Sequence, residues 1–68
     1  MNIEEFACIW FEQSQRWIVL LSNGTVIDNN FGAIGYAANA AYLNLQLGEA
    51  DFECTEDAGT FYRFEKIK

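Results

Sequence analysis

The chain has 68 residues, of which 51% are hydrophobic and 16% aromatic. Half of so short a chain would not make a core, so we expect a single domain over residues 1–68. Ten acidic residues against four basic ones give a net charge of −6. This charge repels phosphate backbones and anionic lipids, so we expect no direct binding to nucleic acid or membrane.

The residues needed for common catalytic chemistry are missing. There is no histidine, which excludes Ser/His/Asp and Cys/His catalysis. Cys8 and Cys54 supply at most half of a four-cysteine zinc site, and their apolar strand surroundings predict inert core thiols. We therefore predict a protein that is not an enzyme and that binds no metal or cofactor. The acidic N-terminus and the lack of a long apolar run predict a cytoplasmic location.

Three strands are predicted in the first half of the chain. Residues 6–11 and 17–21 are rich in aromatic and β-branched side chains and are separated by polar residues. Asn23-Gly24 predicts a type I′ hairpin turn, because both residues tolerate a positive φ. Residues 25–28 then pair back onto 17–21, which gives an antiparallel meander.

A helix is predicted over residues 33–47. Apolar side chains recur there with helical spacing, at positions 34, 37, 38, 41, 42 and 45. Asn30 is the expected N-cap, and Gly48 is the expected residue after the helix.

Two further strands follow, over residues 51–56 and 60–67, joined by a turn at Asp57-Ala58-Gly59. The predicted fold class is α+β, with a small antiparallel sheet, one helix packed on one face of it, and the order βββαββ.

More apolar surface is present than one helix covers. The strands at 6–11 and 17–21 are apolar at both odd and even positions, whereas a half-exposed strand alternates. The helix carries a second apolar series that includes Tyr36, Leu43 and Leu47. A partner protein or a second copy of the chain would cover this surface; alternatively, the terminal segments fold over it. The predicted apolar contact residues are Trp10, Trp17, Tyr36, Leu43 and Leu47.

Acidic residues cluster between positions 49 and 57. On a strand, Glu49, Asp51 and Glu53 would form one row of carboxylates that imitates a run of phosphates, with Cys54 facing inward. The alternative is an edge strand whose charge keeps the protein soluble and prevents pairing with another sheet. The predicted acidic contact residues are Glu49, Asp51, Glu53, Glu56 and Asp57.

These carboxylates, together with the apolar patch around Trp10, Trp17, Tyr36 and Leu43, resemble in general character the small acidic inhibitors encoded by phages and mobile elements. Anti-CRISPR and anti-restriction proteins belong to that class. The resemblance implies an inhibitor that docks on the basic, nucleic-acid-binding surface of a larger protein, as DNA mimics do. The alternative is a structural or regulatory homodimer without a DNA-mimic role.

Overall fold

A computed structural model describes residues 5–67 of the chain. The predicted order βββαββ is confirmed, and so is the α+β class. A short 3₁₀ helix is added between the α-helix and the fourth strand. The elements are β1 (Glu5–Phe11), β2 (Arg16–Leu21), β3 (Val26–Phe31), α1 (Ile34–Leu45), the 3₁₀ helix (Glu49–Asp51), β4 (Phe52–Asp57) and β5 (Phe61–Lys66).

The strands form one five-stranded sheet in the order β3-β2-β1-β5-β4, and every neighbouring pair is antiparallel. The first three strands make the predicted meander. The chain then returns through α1 and places β5 against the free side of β1. Consequently β3 and the acidic strand β4 are the two edges of the sheet.

The core lies on one face of this sheet. Phe6 pairs with Leu21 and Cys8 with Val19, and all four side chains are almost fully buried. Because alternate residues of a strand share a face, these pairs line the same side. Phe6 is central, with ring centroids 4.9 Å from Phe64 and 5.3 to 5.4 Å from Phe52 and Tyr42. The helix adds Ala37, Ala38, Ala41 and Tyr42 to the same cluster.

The β2–β3 hairpin is present, but the predicted type I′ turn is wrong. Only Gly24 has a positive φ, +93°, whereas Asn23 does not. The Gly24 N–H donates to the Leu21 carbonyl and the Leu21 N–H to the Thr25 carbonyl, each at 2.9 Å. The hairpin loop is therefore longer than the two residues of a type I′ connection, and its turn is followed by a glycine in the left-handed conformation. The Asn23 side chain accepts a hydrogen bond from the Thr25 N–H, which a type I′ turn does not require.

The helix is shorter than predicted at both ends. Its N-cap is Ala33 and not Asn30, which takes a left-handed conformation within β3. Its C-terminal left-handed residue is Gln46 and not Gly48. The Leu47 N–H then donates to the Tyr42 carbonyl, and the Leu47 side chain packs against the core. Burial of this leucine ends the helix two residues early, as hydrophobic contacts do in such C-terminal motifs.

Within residues 5–67, no helix is both long enough and apolar enough to cross a bilayer.

Candidate functional site: the open face and the acidic edge

The sheet face opposite the core, which we call the open face, is largely apolar. It carries the remaining alternate residues of the strands, and several of them are well exposed: Leu20 is 41%, Phe11 44% and Val26 59% accessible. A shallow depression on this face lies over Ile9 and Phe61. We define the apolar patch as Ala7, Ile9, Phe11, Ile18, Leu20, Val26 and Phe61.

An ion pair borders the apolar patch on the β2–β3 side. Arg16 donates to both carboxylate oxygens of Asp28, at 2.7 and 2.9 Å. This hydrogen bonding holds the pKa of Asp28 below its ordinary value and that of Arg16 above it. The same guanidinium lies 5.8 Å from the centre of the Phe11 ring. The two charges therefore neutralise each other, and this border of the apolar patch carries no net charge.

Excess negative charge borders the patch on the β4–β5 side. Glu65 lies directly opposite Glu5 on β1 and directly opposite Glu53 on β4. These three residues, which we call the carboxylate row, cross three adjacent strands on one face. Neighbouring strands are about 4.8 Å apart, so like charges are held close together. Like charges directly opposite one another destabilise a sheet.

One cation partly offsets this charge. Arg63 lies 3.6 Å from a carboxylate oxygen of Glu5 and 3.6 Å from one of Glu56. The Thr55 hydroxyl donates to Glu65 at 3.1 Å. In the described part of the chain, neither Glu53 nor Glu65 forms an ion pair with a basic side chain. The carboxylate row therefore keeps a net negative charge beside the apolar patch.

The acidic row predicted from the sequence does not form. Glu49 and Asp51 belong to the 3₁₀ helix and not to a strand. The Asp51 carboxylate accepts a hydrogen bond from the Gly48 N–H at 2.9 Å, so it is used as a local cap. Short-range hydrogen bonding by an aspartate competes with strand pairing, and here it delays the start of β4 to Phe52.

The remaining predicted carboxylates are divided between the two faces. Glu53 and Glu56 lie opposite Glu65 and Arg63 and face the open side. An irregularity between Cys54 and Glu56 shifts the register, so that Asp57 lies opposite Tyr62 on the core side. Sequence reasoning missed Glu5 and Glu65, because the pairing of β1 with β5 joins the two ends of the chain and leaves no local signal.

The predicted apolar contact residues also do not form one surface. Tyr36 and Leu43 are exposed on the helix, at 72% and 71%. Trp10 and Leu47 are partly buried and pack against the core. Trp17 is only 8% exposed, so it stabilises the core and offers little area to a partner.

The two cysteines differ in environment. Cys8 is fully buried, and burial raises the pKa of its thiol to about 12. Cys54 is exposed on β4, so the prediction that both are core thiols is wrong for Cys54. Both thiols are free. β5 separates the strands that carry them, and two strand spacings of roughly 9–10 Å exceed the reach of a disulfide.

Residues 5–67 contain no group of three cysteine or acidic side chains placed to hold a metal ion. No protein-family model, no curated protein and no solved structure matches the chain.

Proposed function

We propose that the protein is a non-enzymatic binding module that docks its open face on a basic surface of a larger protein and so blocks a nucleic-acid site there. The observation that carries this proposal is the carboxylate row beside the apolar patch. An apolar centre with a polar rim is the usual anatomy of a protein–protein interface. Because the carboxylate row is negatively charged, it favours a partner with a basic surface.

The packing of the helix supports this use of the sheet. We infer that α1 packs on one face only, over β1, β2 and β3, and thereby leaves the other face free for a partner. Leu20, Phe11 and Ile9 would supply contact area there, and burial of apolar surface is the dominant favourable term in most protein–protein association.

The carboxylate row would supply selectivity and speed. Glu5, Glu65 and Glu53 repel one another in the free protein, and cationic side chains of a partner would relieve that repulsion. Charge complementarity mainly accelerates association, so the association rate should fall steeply as salt is added. The apolar contacts should then dominate the dissociation rate.

The proposal is tested by capture of proteins from host lysate on three immobilised forms: the wild-type chain, E53Q/E65Q and E49Q/D57N. Each double variant changes the net charge from −6 to −4. Only the first alters the open face, because Glu49 and Asp57 lie on the core side. We expect wild type and E49Q/D57N to retain the same basic protein and E53Q/E65Q to lose it. DNA should compete with the chain for the captured protein.

Two results would contradict the proposal. One is that wild type captures nothing at low salt as well as at physiological salt. The other is that both double variants lose the protein equally, since only overall charge would then matter.

The exposed apolar patch also favours a second candidate, a homodimer in which two open faces pack against each other. Phe11, Leu20 and Val26 would be covered by the symmetry-related copy. In that case the carboxylate row is a solubilising border and has no partner of its own.

A further inference from the structure

A groove on the other side of the sheet lies between α1 and the hairpin of β4 and β5. The core-side surface of β5 and β4 forms its floor, and the helix forms one wall. Its volume is about 810 Å³, within the range of roughly 300–1,000 Å³ that is typical of ligand pockets. We call it the tyrosine groove, after Tyr36, Tyr42 and Tyr62, which line it with Phe64.

The aromatic rings at the floor turn a face toward β4. Phe6 on β1 stacks on one face of Phe64, with centroids 4.9 Å apart and planes at 15°. Since β5 lies between β1 and β4, the opposite face of Phe64 points toward β4. The Tyr62 ring is parallel to Phe64 within 15° and faces the same way. Tyr42 meets Phe64 at 81° and forms a perpendicular wall.

The groove is negatively charged. Asp57 and Glu49 line it, and no basic residue among those described does so. The charge of Asp57 is the main cause that raises the pKa of Tyr62 above its ordinary value, with burial adding to it. Burial raises the pKa of Tyr42, and the charge of Glu49 raises it further. Each carboxylate thus acts on the hydroxyl of one of the tyrosines that line the groove.

We propose that the tyrosine groove binds a small organic ammonium cation. The faces of aromatic rings attract cations through their quadrupole, and combinations of such rings recognise quaternary ammonium groups. The negative charges of Asp57 and Glu49 also attract a cation, so they add to the attraction of the rings. A neutral ligand of the same shape would gain only the apolar contact. This site lies on the opposite side of the sheet from the open face and is independent of the docking proposed above.

The test compares choline with 3,3-dimethylbutan-1-ol, in which a carbon replaces the ammonium nitrogen. Each is titrated into the full chain at constant ionic strength, and NMR shifts of the Tyr62 and Phe64 rings are followed. We expect choline to saturate with a dissociation constant on the order of 1–10 mM. The carbon analogue should bind roughly tenfold more weakly or not at all.

Two variants with the same change of charge locate the site. D57N removes a carboxylate from the groove but keeps an oxygen that accepts the Gly59 N–H, as Asp57 does at 3.1 Å. E53Q removes a carboxylate from the same strand on the opposite face. We expect D57N to weaken choline binding about fivefold and E53Q to change it less than twofold.

Y62L provides a second test that is independent of charge. It removes the ring and should abolish the choline-induced shift at Phe64, while thermal unfolding shows that the variant is folded. The proposal is overturned if choline does not saturate, if both ligands bind equally, or if E53Q weakens binding as much as D57N. Retention of full choline affinity by folded Y62L also overturns it.

Discussion

At the scale of single residues, the environment of each cysteine decides its chemistry. Cys8 lies between β2 and β5 at the centre of the sheet, with no accessible surface, and its thiol pKa is raised to about 12 by burial. Cys54 is on the edge strand, and its sulfur lies 3.3 Å from the Glu56 carbonyl. Since the thiolate is the reactive form, the two thiols should differ in their rates of reaction with a thiol reagent.

We predict that one thiol per native chain reacts rapidly with Ellman's reagent at pH 8. A pKa of about 12 leaves on the order of one Cys8 in 10,000 as thiolate at that pH, before burial blocks the reagent. The slow thiol should react at least roughly a hundredfold more slowly than the fast one.

The cysteine prediction is controlled by C54S, which should remove the fast phase and leave the slow one. Unfolding in denaturant should make both thiols of the wild-type chain react quickly. Two fast thiols in the native protein, or a fast phase that persists in C54S, would mean that Cys8 is accessible.

At the scale of elements, the β2–β3 hairpin depends on one backbone conformation. Gly24 has φ +93°, and a Cβ atom added there would meet nothing within 4 Å. The same open space surrounds Gly32, which does not have a positive φ. The two glycines therefore differ in backbone strain and not in available space.

We predict that G24A lowers the free energy of unfolding by about 1–2 kcal/mol, because alanine is strained at a positive φ. G32A should change it by less than about 0.5 kcal/mol. Both substitutions lower the conformational entropy of the unfolded chain equally. The difference between their free energies of unfolding therefore reflects the backbone conformation of each glycine in the folded protein. Urea unfolding followed by tryptophan fluorescence measures it, and equal effects of the two variants would refute a strained turn.

Other features of the elements show where sequence patterns are reliable. The strands at 6–11 and 17–21 were predicted within one residue of β1 and β2, because their apolar runs are bounded by polar turn residues. The end of the helix was predicted two residues too late, because Gln46 and not Gly48 takes the left-handed conformation and the Leu47 side chain packs against the core. The predicted row of Glu49, Asp51 and Glu53 does not form because the first two residues lie in the 3₁₀ helix, where Asp51 accepts the Gly48 N–H, and only Glu53 lies on a strand.

At the scale of the whole molecule, charge and apolar area act against each other. The chain carries −6, which opposes self-association at low salt. The apolar patch favours self-association. In a binding module the charge repulsion keeps two copies apart, whereas in a homodimer the apolar contact outweighs that repulsion.

We predict that the chain sediments as a monomer of 7.8 kDa at low and at physiological salt. L20D places a charge in the open face and L43D places one on the exposed side of the helix. The first should abolish capture of the basic partner, and the second should leave it unchanged. A mass near twice that of the chain, reduced to the monomer by L20D, would instead establish the homodimer.

The sequence by itself determined the elements, their order and the excess of apolar surface, because these follow from local periodicity and turn residues. Only the tertiary structure decided that β5 pairs with β1, and in which register. Glu5 and Glu65 are 60 positions apart, and they meet because β5 pairs with β1 in one particular register. A shift of one residue in that register would move both carboxylates to other neighbours and Phe64 out of the core. Contacts of this kind arise from packing over the whole chain and leave no trace in any short segment of it.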